Sequence, residues 1–386
     1  MMKIGLLGHG VVGSGVRKII DAGETEEVRE LQVTKILVKD EVELTDPRCT
    51  LNADDIVNDP EIDIVVECMG GVEPAHTFAK KALENGKYFV TSNKKMLASC
   101  CNDLFNTARD HGVTVHYEAA CGGGIPWMAS LDRTRRVDDI DSFRGIFNGT
   151  TNYILSRMAK EGTEFADMLK EAQALGYAER DPSDDIDGFD VRYKVALSCV
   201  KAYDALLNVE DIAVYGIRHI DKKDLDYCRE NGMSCKLIGR GINHKDSVSA
   251  FVIPVFMPVD DVFASIPLNF NAIESDSKTL GKATFVGQGA GSLPTAHAVV
   301  QNVVDIWKDQ DSEIYIKTPR PVDNSLYSSV YYVRTSKKDA FADVCDSVVK
   351  DGDETVLLTK KISMKEMDDL AKASGDENLF IAEVQA

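Results

Sequence analysis

The segment that does most to limit how this chain folds runs from Met2 to Ile20. Met2 to Leu7 is a short apolar run of the kind a buried parallel strand needs, and it feeds directly into Gly8-His9-Gly10-Val11-Val12-Gly13. A helical pattern follows through Val16 to Ile20. In a strand, glycine loop and helix of this kind, Gly8 makes the tight turn, Gly10 lets the backbone approach a pyrophosphate and Gly13 allows close packing of the helix. The pyrophosphate then rests on the helix N-terminus. Val11 and Val12 belong to the same loop and count with it as cofactor-binding positions. A glycine loop alone is a weak signal, so its context matters. Strands are expected at Val33 to Val38, Asp63 to Val66, Tyr88 to Thr91 and Val113 to Tyr117, with helices at Pro74 to Glu84 and Met96 to Asp110. That alternation is the pattern of a doubly wound parallel sheet.

The end of the second strand normally selects the nicotinamide cofactor, through an acid on the ribose 2′-hydroxyl or a cation on a 2′-phosphate. Here Lys39 suits the phosphate and Asp40 the hydroxyl, so both NADP and NAD stay open. After the fourth strand, Ser92-Asn93 leads to Lys94 and Lys95, at the end of the sheet where such folds place their ligands. Either lysine also reads as a surface residue at a helix start.

The chain has 386 residues, more than one hydrophobic core usually supports, and this favours two main domains and a small tail. A net charge of -19 sets up a field that repels nucleic-acid backbones and anionic lipid surfaces, so neither is an expected partner. An anionic cofactor has to be held locally against that field. No basic leader followed by an apolar stretch and a cleavage site opens the chain, and no window approaches a spanning helix, so a cytoplasmic location is expected. The nine cysteines lack a CxxC pair and read as free thiols. The histidines show no ligand spacing for zinc.

The densest polar stretch is Gly176-Tyr177-Ala178-Glu179-Arg180-Asp181-Pro182-Ser183-Asp184-Asp185-Ile186-Asp187-Gly188-Phe189-Asp190. A solvated acidic loop explains such a run more often than a site does. Asp190 and Lys194, however, are four apart at the start of an apolar helix and share one face. A lysine held beside carboxylates and partly desolvated suits general acid or base work on an alcohol and aldehyde couple, and nearby acids suit a cationic amino group. A plain i,i+4 ion pair is the bland alternative.

Taken in order, several segments resemble homoserine dehydrogenase. They are the GHGVVG loop, Thr91-Ser92-Asn93-Lys94-Lys95, Tyr117-Glu118-Ala119-Ala120-Cys121-Gly122-Gly123-Gly124-Ile125-Pro126, Asn148-Gly149-Thr150-Thr151-Asn152-Tyr153-Ile154-Leu155, the Glu179 to Lys194 stretch, and Gly287-Gln288-Gly289-Ala290-Gly291 with Pro294-Thr295-Ala296. The likeness spans roughly residues 1 to 320. It implies interconversion of L-homoserine and L-aspartate 4-semialdehyde with NADP or NAD. Lys194 would be the proton donor to the developing alkoxide and Lys94 its partner near the nicotinamide and the substrate oxygen. Asp190 would orient the catalytic lysine, Glu179 and Asp185 would hold homoserine, and Gly289 would meet the nicotinamide end. Glu118, with the carbonyls of Cys121, Gly123 and Ile125, matches a monovalent cation site, usually sodium; oxygen ligands suit such an ion. Cys121, Trp127, Phe189 and Tyr193 depart from the usual residues and bear on substrate preference.

The expected architecture is thus a Rossmann-type α/β domain at 1–130 completed by 290–320, an α+β substrate and dimerisation domain at 131–289, and a C-terminal α+β tail at 321–386. Strands are expected in the middle domain near Val248 to Phe256 and Thr284 to Gly287. In the tail they fall at Ser329 to Val333, Thr355 to Leu358 and Leu379 to Val384, with helices at Lys338 to Val349 and Met364 to Ala373. The tail resembles a shortened ACT regulatory module lacking its glycine turn and full strand complement. The likeness also implies a homodimer, and no room is left before Gly8 for an aspartate kinase. Two rival readings are a related dehydrogenase with another substrate and a cofactor-binding sensor without turnover.

Overall fold

The computed structural model describes residues 1–309 and 317–385. Residue contacts divide the chain into two units, one of Met1–Val137, Leu197–Leu206 and Gly287–Thr318, the other of Asp138–Ala196, Leu207–Val286 and Pro319–Ala386.

The first unit is built on six strands: β1 (Met2–Leu7), β2 (Leu31–Leu37), β3 (Cys49–Thr50), β4 (Ile64–Glu67), β5 (Tyr88–Thr91) and β6 (Val115–His116). They lie in the order β3-β2-β1-β4-β5-β6 and all pair in parallel. Parallel strands covered on both faces need continuous apolar runs. Ile4, Leu6, Val33, Ile36, Ile64, Val66 and Val90 supply them, packed with Val16 and Ile20 of the Val11–Ala22 helix and with Ala296, Val299 and Val303 of the Ser292–Trp307 helix. Each such Val, Leu or Ile side chain, fully buried, contributes about 1.5–3 kcal/mol. The strand order turns back between β1 and β4, and ligands of such sheets bind at the carboxyl ends of the strands there. The expected strands fall within two residues of the observed ones, the ordinary uncertainty of element ends. Of the expected completion at 290–320, the stretch 310–316 lies outside the described residues.

The second unit holds an 11-stranded mixed sheet. Its main path runs through Gly281–Gln288, Phe270–Ser277, Ile140–Ile146, Met233–His244, Ser247–Pro258, Phe380–Val384, Ser328–Thr335, Thr355–Thr359 and Cys345–Lys350. Ile146, Ile238, Phe251, Ile253, Ala272, Tyr331, Val333, Leu357 and Ile381 share one core cluster. The strands Ile140–Ile146, Met233–His244 and Phe270–Ser277 were not anticipated. The strands after Pro321 continue the same sheet, because Phe380–Val384 pairs in parallel with Ser247–Pro258 through Val255↔Glu383 and Phe256↔Val384.

One expectation for the tail is overturned. Lys338 to Val349 is not a helix: a single 3-10 turn at Lys338–Phe341 is followed by the strand Cys345–Lys350, which pairs antiparallel with Thr355–Thr359. The apolar spacing Phe341, Val344, Val348 suits a helix, but Val348-Val349 is β-branched and a partner edge was within reach. The tail therefore carries four long strands around the Met364–Ser374 helix, one more strand than the sequence suggested. Among the described residues no helix is long and apolar enough to cross a membrane, and no cluster of His, Cys, Asp and Glu side chains could hold a metal ion. None of the nine cysteines is in a disulfide.

Candidate active site

In the first unit the glycine loop is shaped by close backbone contact. A Cβ on Gly13 would come within 2.1 Å of the Gly8 carbonyl oxygen, so only glycine lets the helix start this near the strand. Gly10 is the N-cap of the Val11–Ala22 helix, has open space where a Cβ would be, and no acidic residue stands in the first turn. Those are the conditions under which helix amides receive a phosphate. The Val11 carbonyl accepts a hydrogen bond of 2.6 Å from the Ser292 hydroxyl, tying the loop to the Ser292–Trp307 helix, while the Val11 side chain is exposed.

Beyond β2 the two acids near the expected ribose position are engaged by the local backbone. Asp40 accepts from the Val42 amide at 3.1 Å, and Glu43 accepts from the Lys39 amide at 3.0 Å. The Lys39 side chain is exposed and its ammonium meets no carboxylate among the described residues.

The ends of β4 and β5 are joined by a residue that sequence reasoning passed over. Glu67 is fully buried and accepts from the Thr91 hydroxyl at 2.5 Å, the Met69 amide at 2.7 Å, the Gly70 amide at 3.3 Å and the Asn93 side-chain amide at 3.4 Å. Burial pushes its carboxyl above the usual range. Asn93 in turn donates to the Gly71 carbonyl at 2.6 Å and accepts from the Met96 amide at 3.1 Å, capping the Lys94–Asp110 helix at the residue before Lys94. Thus Glu67 fixes the turn from which Lys94 departs. Its only sequence signal was a carboxylate closing an apolar strand.

Glu118 is also buried, and its two oxygens accept from the backbone amides of Met128 at 3.0 Å and Ala129 at 2.7 Å, in the first turn of the Trp127–Arg135 helix. Burial raises its carboxyl to about 7. Gly123 approaches Gly289 so closely that a Cβ would sit 2.5 Å from the Gly289 carbonyl oxygen, which brings two expected site segments together. Cys121 and Trp127 are fully buried, and the Trp127 indole donates to the Ser198 hydroxyl at 2.9 Å. Trp127 is thus a packing residue.

In the second unit, Lys194 lies on the Phe189–Tyr203 helix and is 7% exposed. Its ammonium donates to Asp190 Oδ2 at 2.7 Å and to the Phe147 carbonyl at 2.7 Å. Asp190 is 5% exposed, so the pair is held in a low-dielectric setting where a charge-assisted bond is strong and well oriented. The Asn148 amide donates both to Asp190 Oδ2 at 2.9 Å and to Asp185 Oδ1 at 2.7 Å, while its oxygen accepts from the Thr151 amide at 2.8 Å and caps the Gly149–Glu161 helix. Asn271 donates to the same Phe147 carbonyl at 2.8 Å. Three of the expected residues, Asp185, Asp190 and Lys194, are therefore joined, with Asn148 as the link. Glu179 is exposed and its carboxylate does not enter this network among the described residues; its backbone carbonyl accepts from Gln173 at 3.0 Å. Asn148 was legible as a helix cap, because an Asn stands three residues before Thr151 at a helix start. Asn271, far away in sequence, carried no signal.

A parallel sheet with a reversed order and a glycine loop aimed at a helix N-terminus defines a dinucleotide-binding protein of the doubly wound class. Residues 8–118 match the family model described as the NAD-binding domain of homoserine dehydrogenase, and residues 126–304 match the homoserine dehydrogenase model. The chain belongs to the homoserine dehydrogenase family. It is 35% identical over 361 residues to the homoserine dehydrogenase of Neisseria gonorrhoeae, spanning 88% of this chain and 82% of that one. It is 39% identical over 316 residues to the enzyme of Synechocystis sp., spanning 79% and 73%. The crystal structure of a homoserine dehydrogenase from Thiobacillus denitrificans superposes with a TM-score of 0.87 at 30% identity, covering 100% of this chain and 98% of that one.

Proposed function

We propose that this chain interconverts L-homoserine and L-aspartate 4-semialdehyde, with Lys194 as the proton donor and acceptor at the substrate oxygen. The observation that carries the reading is the Lys194 ammonium held at 2.7 Å by both Asp190 and the Phe147 carbonyl in a buried setting. A bound nicotinamide supplies the hydride to C4 of the aldehyde or takes it from the alcohol. The fixed Lys194 cation stabilises the negative charge that grows on the oxygen and delivers a proton to it. Asp190 and Asn148 hold the lysine in place, so that orientation is not lost at each turnover. Asp185, half-buried, and Glu179, exposed, are assigned to the substrate's ammonium group. Lys94, at the start of the Lys94–Asp110 helix, keeps the role the resemblance implies, near the nicotinamide and the substrate oxygen.

The glycine loop, with Gly8, Gly10, Val11, Val12, Gly13 and Gly289, is assigned to the dinucleotide. Lys39 favours NADP, because it offers a cation to a 2′-phosphate whereas Asp40 and Glu43 are spent on backbone amides. Glu118 with the carbonyls of Cys121, Gly123 and Ile125 is assigned to a monovalent cation; the fit rests on an all-oxygen donor set, and the two amide bonds keep the Glu118 carboxylate oriented. The same reading takes the protein as a homodimer of the cytoplasm, its oligomeric state measurable by light scattering.

The deciding experiment is nicotinamide absorbance on mixing protein with L-homoserine and NADP or NAD, in parallel on Lys194→Ala and Lys39→Ala. Turnover in the parent, its collapse in Lys194→Ala with cofactor affinity kept, and a selective loss of NADP efficiency in Lys39→Ala are expected. A parent that binds cofactor without turning over homoserine or the semialdehyde sinks the reading.

A further inference from the structure

The Phe147 carbonyl that receives Lys194 is itself held from its other side. Asn271 donates its side-chain amide to that oxygen at 2.8 Å, while Lys194 donates at 2.7 Å, so both lone pairs of one carbonyl are engaged. The approach follows from the ladder. Ala272 pairs with Ile146 across antiparallel strands, and Asn271 and Phe147 lie one residue further along.

Asn271 is 1% exposed, and its Oδ1 is buried with no hydrogen-bond partner among the described residues. An unpaired buried acceptor costs free energy that an apolar residue of the same size would avoid. Reversing the amide gives no relief, since Oδ1 would then face the Phe147 oxygen and repel it. What the side chain contributes is therefore its N–H at that one oxygen.

We infer that Asn271 is a positioning residue for the Lys194 reaction: it aims the Phe147 carbonyl at Lys194 and so balances the pull of Asp190 on the ammonium. This rests on the role assigned to Lys194 above. Without the Asn271 donor the Phe147 carbonyl loses the hydrogen bond that opposes the lysine, and the ammonium settles on Asp190, away from the line of proton delivery. A displacement of about 1 Å at such a group is enough for a rate loss of up to roughly 100-fold.

The test compares the parent with Asn271→Asp, which keeps the shape but puts an acceptor where the donor was, and with Asn271→Ala. Both are expected to lower kcat roughly 10- to 100-fold, with KM for homoserine and for the cofactor within about twofold. The solvent deuterium isotope effect on kcat is expected to rise, because proton delivery becomes slower. A defect of packing alone reduces the amount of active protein and leaves that isotope effect unchanged. Crystal structures of the parent and of Asn271→Asp supply a readout that needs no turnover: the Lys194 ammonium should leave hydrogen-bond distance of the Phe147 oxygen. If kcat is unchanged in a folded variant, or if Lys194 stays on the Phe147 oxygen in the variant structure, the inference is overturned. A parent inactive on homoserine would refute the assigned reaction instead, and the crystal structures would still decide the role of Asn271.

Discussion

Replacing Asn148 should damage stability and catalysis together, and the two effects can be separated by choosing the substituent. The side chain caps the Gly149–Glu161 helix through the Thr151 amide and bridges Asp185 to Asp190. Loss of a cap costs about 1 kcal/mol. A hydrogen bond to a charged group adds about 1.5–3 kcal/mol when buried, which applies to Asp190, and less for the half-buried Asp185. Asn148→Ala should therefore lose roughly 3–4 kcal/mol. At about 2–4 °C per kcal/mol for a domain of this size, the melting temperature should fall by roughly 10 °C. Asn148→Ser keeps an N-cap oxygen but cannot reach both carboxylates, so it should recover about 1 kcal/mol of that loss. Both variants should lose at least about tenfold in kcat, because Asp190 is no longer oriented toward Lys194. Calorimetry and circular dichroism read the first effect, and steady-state rates on homoserine the second. Equal melting temperatures for the Ala and Ser variants, or a parent-like kcat in either, would refute the double role.

Gly13→Ala should weaken cofactor binding at least about tenfold, since the added Cβ must push the Gly8 carbonyl out of the loop; fluorescence titration with NADPH measures it, and unchanged affinity would contradict the close-contact argument. Glu67→Ala strands the Met69 and Gly70 amides and the Thr91 hydroxyl, so a loss of about 2–4 kcal/mol is expected in urea unfolding, together with a raised KM for the cofactor. Lys236 is 3% exposed, donates to Asn152 Oδ1 at 2.8 Å and to the Ile266 carbonyl at 2.7 Å, and is lowered by burial from 10.5 to about 8. Between those two values the unfolded chain holds the proton and the folded one does not, so stability climbs with pH. Relative to Lys236→Met, the parent should gain about 1.6 kcal/mol from pH 8 to pH 9.5 in urea melts, and a constant gap would show that burial does not shift this lysine.

Much of this protein was written locally. The glycine loop, the strands β1, β2, β4, β5 and β6 and the pairing of Asp190 with Lys194 follow from apolar runs, steric rules at glycine and a four-residue helical spacing, all settled by neighbours in the sequence. What only the tertiary structure decided depends on partners outside the element itself. Cys345–Lys350 became a strand because the edge of Thr355–Thr359 lay open to it, overriding a helical spacing. Glu67 became a buried anchor because β4 and β5 end side by side. Asn271 meets the Phe147 carbonyl because the Ile140–Ile146 and Phe270–Ser277 strands pair in one register, and shifting that register by one residue would turn its side chain to the other face of the sheet. Local spacing specifies elements and the residues that share their faces. Which backbone oxygen a buried amide finds is fixed only when strands far apart in sequence come together.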